Sequence, residues 1–593
     1  MVAFVGLIPA LLPLASFAQT SYTWNGSANS AWNNAANWTP NSGFPLATDD
    51  ATIVAAGNAP MLDMARNVTN LTVFGGTLDL NGFTLTSTGN GSFSGGAVNN
   101  GTFAANSAAG TMNFGATTFG ASVSGTTDML YFTGAVFNAP VDLTKTGSSN
   151  DYSNGGTTFN STLTLTVTAG RVYPAYTGAT VFNGNVVLNS TGASGGVWLG
   201  QNGGTMTLAT GRTITAGTFN SGWLVIRNLT QVGATPQNIT TTGTSTVLYQ
   251  VGTTFNANVT SSSPGLYLNG ATFNGTAHFT KTGSTNEYSG GNNTFNALTE
   301  FVVTGAGRLY LANTGADQYN ADVLINCTSA GSGGIWTGNS GGTSVLAAGR
   351  TISVGATGYT GGLLYLANFT MTGTMPQVLN LGSAVTYAQL AGFNGGGNLT
   401  VTAGSILLNG GTVSGNATYA QIGNVDSWSQ GNCVFNGDLE LVNNSTSIFG
   451  PCDTGADAYN GNIRVSNTST GQIRFGNSGG VGTLAAGRTL TVGNGGFNNG
   501  LFLLDNFVQA GATPQAWTLG ANAIQYIRSG CSFSGALDIT AGGFIVDGST
   551  FNGNTRFTKT GTSTDTSPGG NVFQADLDLV NNLAGGLYFA NNA

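Results

Sequence analysis

The feature that most constrains this chain is a long internal repeat. The segment ATGRTIT around Arg212 returns as AAGRTIS around Arg350 and as AAGRTLT around Arg488, 138 residues apart both times. Repetition at a fixed interval is typical of solenoids, in which each turn of chain buries its apolar side only against its neighbours. The sequence therefore predicts a fold built by stacking similar units.

Other segments keep the same interval. TKTGSSNDYSNGGTTFN at Lys145 returns as TKTGSTNEYSGGNNTFN at Lys281 and as TKTGTSTDTSPGGNVFQ at Lys559, and a diverged copy begins at Tyr419. Acidic residues recur within these copies, and we interpret Asp151, Glu287, Asp426 and Asp565 as equivalent. The Pro-Gln pairs at Pro236, Pro376 and Pro514 repeat in the same way.

A shorter interval lies within each long one. Phe or Tyr followed by Asn recurs in steps of 22 to 24 residues within two periods, at Phe137, Phe159, Phe182, Phe273, Phe295 and Tyr319. About six turns of this size fill one period, and each turn has the length of one solenoid coil.

The local patterns identify the repeating unit as β-structure. Apolar and polar residues alternate in TLTLTV at 162–167 and in LYLNGATF at 266–273, with Gly and Asn interrupting the runs. Such alternation indicates short strands joined by tight bends. We predict an all-β chain, a right-handed parallel β-helix with repeats of about 138 residues and about six coils each; the handedness follows from strand twist. Phe159, Phe295 and Phe435 should point into its core.

The amino-acid composition excludes some classes of function. Charged residues make up 6% of the chain, the net charge is −8, and Lys and Arg number 14 without forming a basic run. Nucleic-acid binding requires clustered cations, so this class is excluded. The 40% of hydrophobic residues supplies a core, while no segment after residue 18 has the apolar length of a membrane span.

The two ends of the chain differ from its repeats. Residues 1–18 are predicted to be a signal peptide, with an apolar run and the small residues Ser16 and Ala18 before a cleavage site, although no basic residue precedes the run. Export to the cell exterior or cell surface follows. Residues 61–593 are the repetitive β-helix, which stops in mid-repeat and so predicts that this is part of a longer chain.

Residues 19–60 form a Trp-rich segment between these two. Trp24, Trp32 and Trp38 lie within fifteen residues. A solenoid needs an atypical terminal turn to seal its core, and we expect these residues to form an N-terminal cap. A platform on which carbohydrate rings stack is the alternative.

No catalytic, cofactor-binding or metal-binding residue is predicted. A catalytic residue occurs once, whereas Arg212, Arg350 and Arg488 recur, as do the lysines and acids above. We expect these charges to form turn contacts or surface ion pairs between coils, each contributing at most about 1 kcal/mol. The only histidine, His278, has no identifiable Ser or Cys partner and should point outward.

Two further groups of residues leave alternatives open. Asp49 and Asp50 follow a turn, where two solvated acids are favoured over a cation site. Cys327, Cys433, Cys452 and Cys531 match no zinc pattern. Cys433 and Cys452 have the spacing of neighbouring coils, so either a disulfide between them or four small buried side chains fits.

The opening TWNG…W…A.NW.P…P…D.A, the following NLTV.GGTLDLNG.TLT and the FN…TKTGS…GGN.FN units resemble repeat-rich secreted β-helix surface proteins of Gram-negative bacteria, of the autotransporter-like, type IX-exported kind. The resemblance implies export and a non-catalytic structural or adhesive role, with surface glycans or other cells as partners. The alternatives are a polysaccharide-binding module or a β-helix polysaccharide lyase or glycosidase.

Overall fold

We describe the protein from a computed structural model, in which residues 19–192 and 195–589 are described. The chain is all-β and forms about 24 stacked parallel coils, a β-solenoid, which confirms the predicted fold class. Within the described residues the only helix is a single 3-10 turn, Ala35–Asn37. The predicted signal peptide, residues 1–18, lies outside them.

A typical coil contains three short strands. Ala277–Lys281 lies on what we call the first face, Glu287–Tyr288 on the second and Thr294–Phe295 on the third, before Thr299–Val303 begins the next coil on the first face. Ala277–Lys281 alternates buried and half-buried residues. Because successive side chains of a strand point to opposite sides, each face has an inward row and an outward row.

The chain divides into two compact units, and the described residues up to Arg212 form the first. Its described strands stack in parallel except for one antiparallel pairing, between Ser21–Trp24 and Trp38–Thr39. The other strands of this unit are Asp50–Val54, Arg66–Val68, Leu71–Phe74, Thr77–Asp79, Thr84–Ser87, Gly91–Phe93, Ala97–Asn99, Thr102–Phe114, Thr118–Phe119, Ser122–Phe132, Val136–Phe137, Val141–Lys145, Asn150–Tyr152, Thr158–Phe159, Leu163–Val167, Arg171–Tyr173, Ala179–Phe182, Val186–Ser190, Gly196–Leu199 and Thr205–Leu208.

The described residues from Thr213 onward form the second unit. Its first face contains Ile214–Phe219, Gln237–Thr240, Val259–Ser263, Ala277–Lys281, Thr299–Val303, Val323–Cys327, Ile352–Tyr359, Gln377–Asn380, Leu399–Ala403, Ala417–Gln421, Leu439–Asn443, Ile463–Asn467, Leu490–Phe497, Gln515–Thr518, Leu537–Ala541, Thr555–Lys559 and Leu577–Asn581. Its second face contains Trp223–Arg227, Val247–Val251, Gly265–Asn269, Glu287–Tyr288, Arg308–Leu311, Gly334–Thr337, Leu363–Ala367, Ser427–Trp428, Ile448–Gly450, Gln472–Phe475, Asn499–Leu504, Asn522–Ile527, Gly543–Val546, Asp565–Thr566 and Leu587–Tyr588.

The third face of this unit is made of shorter strands, and two longer strands join it to the second face. The strands of the third face are Leu229–Gln231, Thr254–Phe255, Thr272–Phe273, Thr294–Phe295, Ala316–Tyr319, Thr343–Leu346, Phe369–Met371, Gly431–Phe435, Ala456–Tyr459, Val481–Leu484, Phe507–Gln509, Ser532–Phe533, Thr550–Phe551 and Val572–Phe573. The two joining strands are Tyr387–Gly395 and Ile406–Val413.

Aromatic side chains stack in the core of the third face. Phe273 lies over Phe255 with ring centroids 5.9 Å apart, Phe295 over Phe273 at 5.3 Å, and Tyr319 over Phe295 at 4.9 Å, with nearly parallel rings. Parallel pairing places each residue directly over its equivalent, so the aromatic interval of the sequence becomes a continuous stack. The predicted core positions are confirmed, because each is 1% exposed: Phe159, Phe295 and Phe435.

The Asn after each of these aromatic residues forms a second stack, on the outside. Asn274 Nδ2 donates to Asn256 Oδ1, Asn296 Nδ2 to Asn274 Oδ1 and Asn320 Nδ2 to Asn296 Oδ1, each at 2.7 Å. These three steps are 18, 22 and 24 residues long. The Phe-Asn motif therefore supplies one core contact and one surface hydrogen bond per coil.

Gly and Asn satisfy two separate backbone requirements at the bends. A Cβ on Gly275 would lie 2.3 Å from the carbonyl carbon of Ala257 in the preceding coil, so only glycine fits this close approach. Asn228, Asn368 and Asn506 occupy one repeated bend with φ of +53°, +48° and +50°. Asn tolerates this left-handed conformation better than other residues with a side chain.

The three tryptophans of the N-terminal segment are fully buried. The Trp38 ring packs edge-on against Trp24 and Trp32, with centroids 5.0 and 4.7 Å apart. Trp24 Nε1 donates to Asn58 O at 2.7 Å, and Trp38 Nε1 donates to Trp32 O at 2.8 Å. Rings enclosed in this way present no face to an external sugar, which favours the cap over the carbohydrate platform.

Truncating one member of the third-face stack should destabilise the protein locally. We expect Phe295→Ala to cost about 3–5 kcal/mol, because it removes a buried ring between two others. Thr294→Ala, on the outward side of the same strand, is the matched control and should change stability by less than about 0.5 kcal/mol. Thermal unfolding followed by circular dichroism measures both, and equal midpoints for the two variants would contradict the stack's role.

Candidate functional site

The repeated lysines were expected at the surface, but the structure places them in the interior. Lys145, Lys281 and Lys559 are all 0% exposed, at the inward end of first-face strands. Each ammonium group donates to a carbonyl oxygen of the following bend, as Lys281 Nζ does to Gly283 O at 3.0 Å. Lys281 Nζ also donates to Pro264 O of the preceding coil at 3.3 Å. The expected turn contacts are therefore present, whereas the expected surface position was wrong, because the repeated charge serves the interior of the bend.

Two of these lysines, Lys145 and Lys559, form ion pairs with acids inside the solenoid. Lys145 Nζ lies 3.5 Å from Asp151 Oδ2, and both side chains are fully buried. Asp151 also accepts from Leu130 N at 2.8 Å and from Ser149 Oγ at 2.8 Å. Burial raises the pKa of Asp151 and lowers that of Lys145, while their mutual attraction opposes both shifts. Lys559 and Asp565 repeat the pair at 3.8 Å.

The diverged copy carries a neutral version of the same arrangement. Gln421 replaces the lysine, and Ser427 Oγ donates to Gln421 Oε1 at 2.6 Å. Ser427 Oγ also accepts from Ile406 N at 3.0 Å, the bond that Asp151 makes in its own copy. Ser427 is thus the structural equivalent of Asp151, whereas Asp426, which the sequence placed there, is exposed one residue earlier. The predicted equivalence of Asp426 was wrong by one position.

The repeated arginines and the Pro-Gln pairs contribute to the same contact between neighbouring coils. Arg212, Arg350 and Arg488 are exposed in identical turns, as expected. The buried Gln377 amide accepts from Ile352 N at 2.7 Å and donates to Arg350 O at 3.0 Å, so it ties this turn to the next coil. Gln515 makes the same pair of bonds to the turn at Arg488. The contact is therefore made by the backbone carbonyl of the arginine and not by its charged side chain.

His278 points outward, as predicted, but it has partners. Its Nδ1 lies 2.8 Å from Glu300 Oε2, and Thr280 Oγ1 lies 3.1 Å from its Nε2. Asn326 Nδ2 donates to Glu300 Oε1 at 2.7 Å. The order of hydroxyl, imidazole and carboxylate resembles a catalytic triad, and sequence analysis missed Thr280. All three side chains stand on a flat strand face whose backbone N–H groups pair with neighbouring coils, so none of these N–H groups serves an oxyanion.

Asp49 and Asp50 are structural. Asp49 is 7% exposed, and its two oxygens accept from Thr20 N at 3.1 Å and Leu46 N at 3.0 Å. Asp50 Oδ1 accepts from Asn70 Nδ2 at 2.7 Å. The interpretation of both as solvated turn acids was wrong for Asp49, since it closes the turn from the inside. Among the described residues no group of three or more His, Cys, Asp or Glu is placed to hold a metal ion.

The four cysteines are free thiols, and all four are buried. This agrees with small buried side chains and leaves no disulfide between Cys433 and Cys452. Burial raises the pKa of Cys452 to about 12, with a further contribution from the nearby Asp457 carboxylate.

Asp457 is a buried acid that sequence analysis did not single out. Its Oδ1 accepts from Cys433 N at 2.8 Å, and its Oδ2 accepts from Tyr459 Oη at 3.0 Å. Burial raises the pKa of Asp457 to about 7 and that of its equivalent, Asp317, to about 6. Each follows a Thr-Gly-Ala segment, at 314–316 and 454–456.

The outward side of the second face carries a row of aromatic rings, which we call the aromatic row. In the second unit, Tyr288 and Tyr310 stack at 4.3 Å, Trp336 follows Tyr310 at 5.3 Å and Tyr365 follows Trp336 at 4.6 Å. Tyr288 is 46% exposed. In the first unit, Tyr152, Tyr173 and Trp198 form the equivalent row.

Three of the chain's few cations lie over tryptophan rings of this face. Arg308 Cζ is 4.5 Å from the Trp336 centroid, and the guanidinium also donates to Ser332 O and to Tyr310 Oη, at 3.1 and 3.3 Å. The same contact recurs between Arg171 and Trp198 at 5.0 Å, and between Arg474 and Trp428 at 5.7 Å. The aromatic row with its arginines is the candidate functional site.

Comparison with protein-family models, with curated proteins and with solved structures finds no match to this chain. The resemblance to secreted surface proteins therefore stays a prediction. No helix in the described part of the chain is long and apolar enough to cross a membrane.

Replacing both members of the buried Lys–Asp pair should cost less stability than replacing the acid alone. We expect Asp151→Ser alone to cost about 3–5 kcal/mol, because it leaves the Lys145 ammonium buried without its counter-ion. The double variant Lys145→Gln/Asp151→Ser reproduces the Gln421–Ser427 pair and should recover most of this loss. Urea unfolding of both variants and of Lys145→Gln measures the coupling, and additive losses would contradict it.

The stability of the second unit should depend on the protonation of Asp457. Its folded pKa, about 7, exceeds its ordinary value of 3.8, so the folded state retains a proton that the unfolded chain releases. This contribution to stability is complete below pH 3.8 and is lost as the pH rises through about 7. We expect Asp457→Asn to flatten the decrease of the melting temperature between pH 4 and 8. Asp538→Asn, which removes an exposed carboxylate, is the control and should leave the decrease unchanged.

Proposed function

We propose that this chain is a non-catalytic, extracellular repeat protein with a structural or adhesive role at the cell surface. The observation that carries the proposal is the aromatic row, in which Tyr and Trp rings stack along the outward side of consecutive coils. Tyr288 is 46% exposed, whereas Tyr310 is covered by its neighbours and is 4% exposed. Aromatic residues with polar tips are enriched where proteins meet partners, since one part of the side chain is apolar and the other hydrogen-bonds.

The remaining outer surface fits the same role. Stacked Asn side chains and outward Thr side chains give a neutral polar exterior, in a chain of which 6% is charged. Such a surface offers hydrogen bonds without a strong electrostatic field. Its repetition along the coils provides many similar contacts. Weak contacts repeated on one molecule act together through high effective concentration.

The residues that suggested chemistry are engaged in the fold. The recurring lysines and their acids hold bends, and Asp49 closes a turn. The buried cysteines have raised pKa values because of desolvation. A nucleophilic cysteine needs the opposite, a lowered pKa and solvent access. These placements support an architectural reading of the repeated residues.

Cell binding and product release separate adhesion from catalysis. Purified protein should bind bacterial cells or extracted cell-surface polysaccharide, and His278→Ala should bind equally, because no single residue carries the contact. Incubation with pectin, alginate or cellulose should release neither reducing ends nor unsaturated sugars. Release that disappears in His278→Ala or Glu300→Gln would replace the proposal with an enzyme.

A further inference from the structure

We infer that two of the buried bends, those of Lys145 with Asp151 and of Lys559 with Asp565, are sites at which the lysine and the aspartate side chains join in an internal amide bond. The inference goes beyond the proposed function and does not depend on it. It rests on three features of these bends: the enclosure of both side chains, the hydrogen bonds that the carboxylate accepts, and the contrast with the other two copies of the repeat.

The first pair is enclosed away from solvent. Lys145 and Asp151 are both 0% exposed, and Lys145 Nζ lies 3.5 Å from Asp151 Oδ2. Two charges removed from water are costly to keep, so a reaction that neutralises both is favoured. Groups that the fold holds side by side also react far faster than the same groups free in solution. Enclosure thus supplies a driving force and a fixed approach.

The Asp151 carboxylate is hydrogen-bonded in the way that suits an acyl-transfer reaction. Its Oδ2 accepts from Leu130 N of the preceding coil at 2.8 Å, and its Oδ1 accepts from Ser149 Oγ at 2.8 Å. A backbone N–H that already points at an oxygen stabilises the negative charge which that oxygen gains when a nucleophile adds to the carbon. The Lys145 ammonium is held in place by Gly147 O, to which it donates.

The bend at Lys559 repeats this arrangement. Lys559 Nζ lies 3.8 Å from Asp565 Oδ2 and donates to Gly561 O at 2.5 Å. Asp565 Oδ2 accepts from Phe544 N, and its Oδ1 accepts from Ser563 Oγ, both at 2.9 Å. Lys559 is 0% exposed and Asp565 is 8% exposed. The same contacts therefore recur at two separate bends.

The reaction is a condensation that needs no further reactant. A proton first moves from the Lys145 ammonium to the Asp151 carboxylate, and desolvation by burial favours this transfer, because it lowers the pKa of Lys145 and raises that of Asp151. The amine lone pair then adds to Cγ, the bond from Cγ to Oδ1 breaks, and Oδ1 leaves as water with two protons that came from Nζ. Ser149 Oγ, which is bonded to Oδ1, is placed to pass protons to the departing oxygen. An uncharged amide replaces the ion pair.

The other two copies of the repeat serve as internal controls. At Lys281 the aspartate is replaced by Glu287, which is half-buried, and no ion pair among the described residues joins these two side chains. In the diverged copy, Gln421 and Ser427 take both places. Of the four bends, the two with aspartate therefore bring an amine and a carboxyl group together in the interior.

The amide bond closes a loop of seven residues, 145–151. A short loop restricts the unfolded chain less than a long one, so the bond adds less to equilibrium stability than a long-range cross-link does. Its main effect is on the bend, which cannot open while the amide is intact. The bond thus makes permanent a bend that the ion pair holds reversibly.

The experiment is a tryptic digest of the full chain, unfolded in urea, followed by mass spectrometry. Trypsin cleaves after Lys and Arg, and an amide on Nζ removes the charge that the protease recognises. The wild-type protein should yield peptide 67–171 uncut at Lys145, and a peptide that begins at 557 uncut at Lys559. Each should be lighter than its sequence by about 18 Da, the mass of one water. Cleavage after Lys281 should be complete, giving 228–281 and 282–308 at full mass.

Two variants of the first bend test the role of its carboxyl group. Asp151→Ala should restore cleavage after Lys145, because no acyl group is left to react. Lys559 should stay uncut in the same molecules, which also shows that the variant has folded around the second bend. Asp142→Ala removes an exposed carboxylate from the strand that carries Lys145. It is the matched control and should leave Lys145 uncut.

Glu287→Asp should create a third bond. It shortens the side chain by one methylene, and Thr285 Oγ1, which donates to Glu287 Oε1 at 2.9 Å, occupies the place of Ser149. We expect Lys281 to become resistant to trypsin and peptide 228–308 to appear lighter by about 18 Da.

Cleavage of the wild-type protein after both Lys145 and Lys559, with every peptide at full mass, would overturn the inference. Resistance at Lys145 that persists in Asp151→Ala would overturn it as well, since something other than the amide would then block the protease. Loss of water at Lys281 in the wild-type protein would also contradict it, because the bond would not depend on the geometry of the aspartate bends.

Discussion

The structure depends on the in-register parallel pairing of each coil with the next. Backbone hydrogen bonds in a parallel ladder place every residue directly over its counterpart, so each side chain must suit a near-copy of itself. Aromatic rings over aromatic rings and Asn amides over Asn amides meet this condition, as the stacks beginning at Phe255 and Asn256 show. Like charges stacked over one another repel, which is one reason why a stacked chain contains so few charged residues.

Charged side chains lie in the interior at bends, where they complete the hydrogen bonding of the backbone. Lys145 and Asp151 satisfy carbonyl and amide groups that a strand end would otherwise leave unpaired, and each depends on the other for neutralisation. Gln421 and Ser427 fill the same places without charge. The existence of both versions in one chain indicates that the hydrogen bonds are the requirement and that the ion pair is one way to supply them.

The outward rows are freer to vary than the inward ones. Position 278 is His in one period, while its equivalents are Asp142, Thr418 and Arg556, all at the same outward place on the first face. The aromatic row, by contrast, retains rings in consecutive coils of the second face, at Tyr288, Tyr310 and Trp336. Because rings recur there in consecutive coils, the second face is where we propose that the protein contacts a partner.

The sequence by itself determined the repeat, the strand character and the inward aromatic positions, because parallel stacking turns a periodic sequence directly into periodic contacts. It could not determine which residues oppose one another between markers, since the steps between equivalent residues vary from 18 to 24 along one stack. Asp426 was taken for Ser427 for a different reason: it is an acid next to that position, although the six-residue spacing from Gln421 to Ser427 matches that from Lys145 to Asp151. The burial of Lys145 and the clamp formed by Gln377 were equally hidden, because a charged or amide side chain usually indicates a surface. Only the tertiary structure shows that Lys145 reaches a bend of the following coil and that Gln377 reaches the turn of the preceding coil.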